Sequence, residues 1–158
     1  MLPGLLVVTS NVFVGRIAAA QRQRQWSEIE PLLVELGPSF GPNLVAPLLS
    51  TLVDDVTAEA EVFAIVHLAE ATADRPYVLG LLEALPVLVK RAPRWARILL
   101  SRVVNSPGAF EQLMELARDQ PDGQRRALLD AADALERWRP AIGAQVALIR
   151  DSLREKTS

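Results

Sequence analysis

His67 and Glu70 are the two residues whose types and spacing come nearest to acid–base chemistry. They lie one helical turn apart in the segment FAIVHLAE, residues 63–70, and His67 is the only histidine of the chain. A histidine beside a carboxylate can exchange a proton near neutral pH. However, no nucleophile or second base stands at a useful spacing from this pair. The favoured interpretation is a structural histidine, and an enzymatic function is not expected.

Paired aspartates are the second chemical candidate, because carboxylates bind hard cations. Asp130 and Asp133 form a DxxD pattern on one predicted helix, and Asp54 and Asp55 are adjacent. Neither pair has the further ligands of a metal site, and the chain has no cysteine. We therefore expect Asp133 to pair with Arg137 four residues later, Asp54-Asp55 to mark a helix end, and no metal or cofactor to be bound.

Clustered arginines and two tryptophans raise the possibility of nucleic-acid binding. Residues 91–158 contain twelve basic residues, but nine acids are interleaved with them. A nucleic-acid-binding domain is normally clearly basic, and the chain has no glycine-rich phosphate loop. We therefore expect no nucleic-acid partner, and we expect Trp95 and Trp138 to be core anchors.

Charge is distributed unevenly along the chain. Residues 1–25 carry three arginines and no acid, whereas residues 26–90 carry ten acids against only Arg75 and Lys90. The remainder, residues 91–158, has a net charge of +3. Such asymmetry is typical of a surface that binds a charged partner.

The elements that would position these residues are predicted to be helices. The 158 residues are half hydrophobic, with few aromatics, which favours a single all-α domain. Ser27 to Glu30 fits a capping box, Thr57 can cap a later helix, and prolines supply most of the remaining breaks. The predicted helices cover residues 27–36, 42–54, 58–71, 75–91, 94–105, 109–119, 122–138 and 141–156.

Short breaks between these helices predict antiparallel αα-hairpins. The hairpins would start near residues 27, 58, 94 and 122, so we expect a single-domain, HEAT-like stack. Residues 1–25 are interpreted as an apolar N-terminal extension or first helix, and residues 26–158 as the helical-hairpin domain. No basic residue precedes Arg16, and polar residues interrupt the apolar run, so a secretory signal or membrane span is not expected.

The segment at residues 77–89 is apolar nearly all round its predicted helix, which indicates a central, buried position. Pro86 lies inside this segment and removes one backbone hydrogen bond, so a kink is expected near Leu82.

Arg102 stands four residues after Ile98, at the edge of the apolar face of the next helix. A partly buried arginine needs a carboxylate, and the expected partner is Glu83 or Glu70. Removing Arg102 would then strand a buried charge, at a cost on the order of 3 kcal/mol.

Four sequence runs resemble those of a small all-helical bacterial immunity protein: VHLAE at residues 66–70, YVLGLLEALP at 77–86, APRWA at 92–96 and LLSRVVNS at 99–106. The chain is similar to the immunity protein 30 family over roughly residues 57–137. His67, Glu83, Trp95 and Arg102 fit positions of this pattern and are interpreted as scaffold. The resemblance implies a non-enzymatic, cytoplasmic antitoxin of a polymorphic toxin, such as a contact-dependent growth-inhibition toxin. A HEAT-like scaffold or adaptor for another protein is the alternative.

Partner binding is predicted at the acidic end of the stack. The resemblance implies that the partner is the C-terminal domain of the cognate toxin, and an acidic surface would suit a basic, nuclease-like domain. No membrane partner is expected. Up-and-down hairpins would gather six acids at one end, although four of them also lie in first helical turns, where they would complement helix dipoles. The six expected binding residues are Glu28, Glu30, Asp54, Asp55, Glu59 and Glu61.

Overall fold

The computed structural model describes residues 3–154, which form an all-α single domain and contain no β-strand. The prediction of an all-α domain is confirmed. Its nine α-helices are α1 (Pro3–Arg22), α2 (Ile29–Leu36), α3 (Val45–Leu49), α4 (Glu59–Glu70), α5 (Asp74–Arg91), α6 (Pro93–Val104), α7 (Pro107–Leu116), α8 (Asp122–Trp138) and α9 (Gly143–Arg154).

Prolines and glycine mark several helix boundaries, as the sequence predicts. Helix α2 ends before Gly37, and α6 and α7 each begin at a proline, whose missing N–H costs nothing at a first helical position. The predicted bounds of α8, residues 122–138, are confirmed.

The predictions of Ser27 and Thr57 as helix-capping residues are wrong. Ser27 lies inside a 3₁₀ turn, Trp26–Glu28, and neither this turn nor α2 has a side-chain cap. Thr57 also lies inside a 3₁₀ turn, and the residue that caps this turn is Asp55, whose carboxylate accepts a hydrogen bond from the Thr57 N–H.

Helix α3 is shorter than predicted because hydroxyl groups bind the backbone where it ends. Ser50 Oγ donates to the Ala46 carbonyl and Thr51 Oγ1 donates to the Leu48 carbonyl. Serine and threonine side chains offer the backbone this alternative to a further helical turn. The helix therefore ends at Leu49 instead of near Asp54.

Helix α5 is the central element of the domain, as its all-round apolar sequence predicts. It packs against α3, α6, α7 and α8, and most extensively against α8, which is distant in sequence. Pro86 lies inside α5, which continues to Arg91. This packing centres on one helix and does not show a HEAT-like repeat, so the stacked-hairpin arrangement stays a prediction.

Gly80 allows α3 to approach α5 closely. A Cβ atom at residue 80 would lie 2.6 Å from Val45 Cβ and 3.2 Å from the Ala46 backbone nitrogen. Both distances are shorter than ordinary van der Waals contact between such atoms. The contact between these two helices therefore depends on the missing side chain.

Helix α1 packs against α2 and buries Val14, Ile17 and Ala20. Gln21 Nε2 donates to Thr51 Oγ1 at 2.9 Å, which joins the end of α1 to the end of α3. Within residues 3–154, no helix combines the length and apolarity needed to cross a membrane. The division of the chain at residue 25 stays a prediction.

Candidate toxin-binding surface

Asp54 caps the first turn of α6, although the two are far apart in sequence. Its carboxylate accepts hydrogen bonds from the backbone N–H of Arg94, at 2.9 Å, and of Trp95, at 3.2 Å. These N–H groups have no acceptor within a helix that begins at Pro93. Asp54 therefore caps the N-terminus of α6 although it belongs to another element. Its negative charge also interacts favourably with the positive end of the α6 helix dipole.

Asp55 and Glu59 are also engaged inside the domain. Asp55 accepts hydrogen bonds from the Thr57 hydroxyl at 2.6 Å and the Thr57 N–H at 3.0 Å, and it lies 3.7 Å from Arg24. These two hydrogen bonds and the Arg24 charge lower the pKa of Asp55 below its ordinary value. Glu59 accepts a hydrogen bond from Arg94 Nη2.

Glu28, Glu30 and Glu61 form the remaining half of the predicted site. None of the three has a basic partner among residues 3–154. Glu28 and Glu30 are exposed, and Glu61 is half-buried on α4, which packs against α2. The six acids therefore fall into three that bind groups of the domain and three that have no basic partner among residues 3–154. We call Glu28, Glu30 and Glu61 the acidic surface.

The stretch of sequence that contains these three acids has no basic residue other than His67. From Gln25 to Asp74 there are nine acids and no lysine or arginine. Arg24, Arg94 and Arg102 reach into this stretch and contact Asp55, Glu59 and Glu70. Arg16 of α1 lines a shallow pocket together with Glu28 but forms no ion pair with it.

Helices α4 and α6 enclose a groove of about 620 Å³. They run in the same direction, because Glu59 and Arg94 join their first turns while Glu70 and Arg102 join their last turns. Phe63 of α4 and Ile98 of α6 line the groove between these two ion pairs. Side chains from the end of α8 complete the lining.

Arg102 pairs with Glu70 and not with Glu83. Its Nε and Nη2 atoms donate to both carboxylate oxygens of Glu70 at 2.8–3.2 Å, and these bonds raise the pKa of Arg102. The predicted partner Glu70 is confirmed, but the prediction of a buried ion pair is wrong, since 40% of the Arg102 side chain is exposed. Water reaches this ion pair, so it contributes less than a buried pair would.

Trp138 is exposed at the edge of the groove. Trp95 is fully buried and contacts Phe63 edge-to-face, so its prediction as a core anchor is confirmed. The same prediction is wrong for Trp138, which is 39% exposed. Trp138 follows the buried Leu135 at core spacing, but it is the last residue of α8. The break at Pro140 is the sequence signal that no further turn covers this ring.

Two guanidinium groups lie over the exposed ring of Trp138. Arg97 Cζ is 4.8 Å and Arg139 Cζ is 4.3 Å from the ring centroid, distances typical of cation–π contacts. Arg97 lies on α6 and Trp138 ends α8, so no local sequence pattern predicts this cluster.

The remaining candidates for acid–base chemistry or metal binding lie on different helices, His67 on α4 and Asp133 on α8. His67 is exposed, with its ring 6.0 Å from that of Phe63. The predicted Asp133–Arg137 pair is wrong, because Arg150 donates to both Asp133 and Glu136. The part of the chain that the structure describes contains no group of three histidine, cysteine or acidic side chains placed to hold a metal ion.

Comparison with known families identifies the chain. The model of the family "Immunity protein 30" matches residues 17–113, from the second half of α1 into α7. The chain belongs to the immunity protein 30 family. No curated protein and no solved structure matches it.

Family membership gives the function in outline. An immunity protein 30 domain is the non-enzymatic immunity component of a toxin system, which implies that the chain neutralises a cognate toxin. This finding favours toxin neutralisation over the scaffold or adaptor function. The matched segment begins and ends earlier than the resemblance seen in the sequence, and it includes the acidic surface but not Trp138 or Arg139.

Proposed function

We propose that this immunity protein binds the C-terminal domain of its cognate toxin in the cytoplasm and blocks a basic, nuclease-like surface. The contact is made by the acidic surface, Glu28, Glu30 and Glu61. A nuclease must attract phosphate groups and therefore carries an excess of lysine and arginine around its substrate site. An acidic inhibitor can occupy such a site by complementary charge.

The observation that carries this proposal is the absence of basic partners for the acidic surface among residues 3–154. Acids that already pair inside the domain gain little from a new cation, whereas acids without an ion-pair partner can still attract a basic surface. Asp54, Asp55 and Glu59 contribute indirectly, since they fix the start of α4 and of α6. Their negative charge is largely offset by Arg24, Arg94 and the N-terminus of α6.

The test compares two triple variants with equal changes in net charge. One changes Glu28, Glu30 and Glu61 to glutamine; the other changes Glu83→Gln, Glu111→Gln and Asp130→Asn, three exposed acids on α5, α7 and α8. The probe is the purified C-terminal domain encoded by the adjacent upstream toxin gene. Its association rate is measured at low and moderate salt.

The acidic-surface variant is expected to associate roughly tenfold more slowly at low salt, with a weaker salt dependence, because electrostatic steering is lost. The control variant should associate at nearly the wild-type rate. Equal association rates for the two variants would place the toxin elsewhere on the molecule.

A further inference from the structure

Two acids line the groove between α4 and α6, and each of them is paired with an arginine. These acids are Glu59 and Glu70, and each accepts hydrogen bonds from an arginine of α6. Arg97 and Arg139 are different, because neither guanidinium contacts a carboxylate within the described range, 3–154. The groove and its edge therefore carry an excess of positive charge, in contrast to the acidic surface.

The two unpaired arginines contact the same side chain. Both guanidinium groups contact the indole of Trp138, so two positive charges without a carboxylate partner border one side chain. Arg97 Nε is also buried without a hydrogen-bond acceptor among the residues that the structure describes. A buried donor without an acceptor is costly, but this atom has no surface that a partner can reach. A carboxylate can instead pair with the guanidinium of Arg139, which is exposed, and offset the two positive charges at Trp138.

The side chains around this position are those that dominate protein–protein binding. Tryptophan and arginine are the residue types most enriched among interface residues that carry large binding energies. Phe63 and Ile98 line the adjacent groove and provide apolar contact area beside the two charges. The ion pairs at both ends of the groove hold its walls in position before a partner arrives.

We propose that Arg97 and Arg139, with Trp138, bind an aspartate or glutamate side chain of the toxin at the edge of the α4–α6 groove. This inference rests on the proposed function, since it assumes that the toxin is the partner. The toxin then meets a negative surface at Glu28, Glu30 and Glu61 and a positive one at Trp138. Two contacts of opposite sign fix the orientation of the toxin and disfavour toxins whose charges are arranged differently.

The first experiment measures dissociation of the same toxin domain from two double variants. The groove variant carries Arg97→Gln and Arg139→Gln, and its matched control carries Arg126→Gln and Arg137→Gln, two exposed arginines of α8. We expect the groove variant to dissociate roughly 30-fold faster than wild type, because loss of a desolvated charge pair acts mainly on dissociation. The control should dissociate at the wild-type rate. Arg139→Gln alone, at an exposed position after α8, should show part of the effect and keeps the test valid if the double variant unfolds.

The second experiment identifies the chemical group that is bound. The variant Arg139→Lys places a primary amine at the site, and a water-soluble carbodiimide joins such an amine to a contacting carboxylate by an amide bond, with loss of water to the reagent. Mass spectrometry of the complex is expected to find a cross-link from position 139 to an aspartate or glutamate of the toxin. Wild-type protein treated in the same way controls for reaction at Lys90 and Lys156.

Two results would overturn the inference. One is equal dissociation from the groove variant and its control. The other is binding of a labelled single-stranded oligonucleotide that is lost in the groove variant, which would make the Arg–Trp cluster a nucleic-acid site. Failure of the proposed function is distinguishable from both, because it appears in the association rate of the acidic-surface variant.

Discussion

Helix α5 packs tightly against α3, whereas α4 and α6 stand apart. At the first contact, Gly80 lets the Val45 side chain approach the α5 backbone. At the second, Glu59–Arg94 and Glu70–Arg102 span the space and leave a groove of about 620 Å³ between them. Apolar packing therefore holds the centre of the domain together, while charged side chains set the width of a surface groove.

Helix α6 takes part in both kinds of contact. Trp95, Leu99 and Val103 face the core, whereas Arg94 and Arg102 face α4. Burial of apolar surface supplies most of the free energy of folding, and exposed ion pairs supply little. Substitutions on the two faces of α6 should therefore differ greatly in their effect on stability.

The largest effect is expected for Trp95→Ala. Trp95 is fully buried and contacts Phe63 edge-to-face with centroids 4.9 Å apart. Its truncation leaves a cavity and should lower the free energy of unfolding by about 3–5 kcal/mol. Trp138→Ala, at the exposed tryptophan, is the control and should cost less than about 1 kcal/mol. Urea denaturation followed by circular dichroism measures both, and similar losses would contradict the assignment of one tryptophan to the core and one to the surface.

Gly80→Ala tests the tight contact between α3 and α5. The added methyl group would overlap Val45, and the two helices must move apart, so we expect a loss of about 1–3 kcal/mol. Gly15→Ala is the matched control, because a Cβ atom at that position in α1 meets no atom within 4 Å. Alanine also favours helix, so the control should gain up to about 1 kcal/mol. A Gly80→Ala protein that melts like the control would disprove the close approach.

Alkaline pH should destabilise the protein through Tyr77, the only tyrosine of the chain. Burial raises the pKa of Tyr77 above its ordinary value of 10.0, and the nearby Glu70 charge adds to this effect. The contribution of Tyr77 to the free energy of unfolding is fully present below pH 10.0 and decreases as the pH rises beyond it. The reason is that Tyr77 loses its hydroxyl proton at a lower pH in the unfolded chain than in the folded one. The free energy of unfolding should fall by about 1.4 kcal/mol per pH unit in this range.

Tyr77→Phe removes this contribution and is the control. The Tyr77 hydroxyl is buried and makes no hydrogen bond with the residues described, so its removal breaks none. The variant should lose stability more slowly above pH 10 than wild type does. Phenolate absorbance that develops near pH 10 while the protein is still folded would show that the tyrosine is not protected.

The smallest effect is expected at the ion pairs of the groove. Arg102→Ala should cost about 1 kcal/mol or less, and less still at high salt, because the Arg102–Glu70 pair is partly exposed. This value replaces the larger cost expected for a buried pair. Glu83→Gln, at an exposed acid that the sequence offered as the other partner, should have no measurable effect. A loss of several kcal/mol in thermal or urea denaturation of Arg102→Ala would mean that the pair is shielded from water.

The sequence predicted those features of the fold that depend on nearby residues. Proline and glycine positions predicted several helix boundaries, and the apolar run at residues 77–89 identified α5 as central. The predictions of Ser27 and Thr57 as capping residues failed, because both residues lie inside 3₁₀ turns. Local patterns do not show which of several polar groups will bind a free backbone N–H.

The site was less predictable, because it depends on contacts between distant residues. Six acids share a charge and a region of sequence, yet three of them bind groups that lie elsewhere in the domain or in a neighbouring turn. The cluster at Trp138 joins residues 97, 138 and 139, which no periodicity connects. Family resemblance predicted the function, which the family match supports in outline, whereas the uneven charge of the sequence predicted only a basic partner, which remains a proposal.

The hydrogen bonds from α6 to Asp54 also have a consequence for how the chain folds. The first turn of α6 gains its acceptor only after a loop of 40 residues has closed between positions 54 and 94. Loop closure has an entropic cost that must be met before the contact forms. The first turn of α6 should therefore become stable late, after the apolar face of this helix has packed. Helix α5 lies within that loop, and its collapse against α3 shortens the distance that remains. Formation of the α4–α6 groove would then follow formation of the core, so the groove would be complete only in molecules whose interior is already packed.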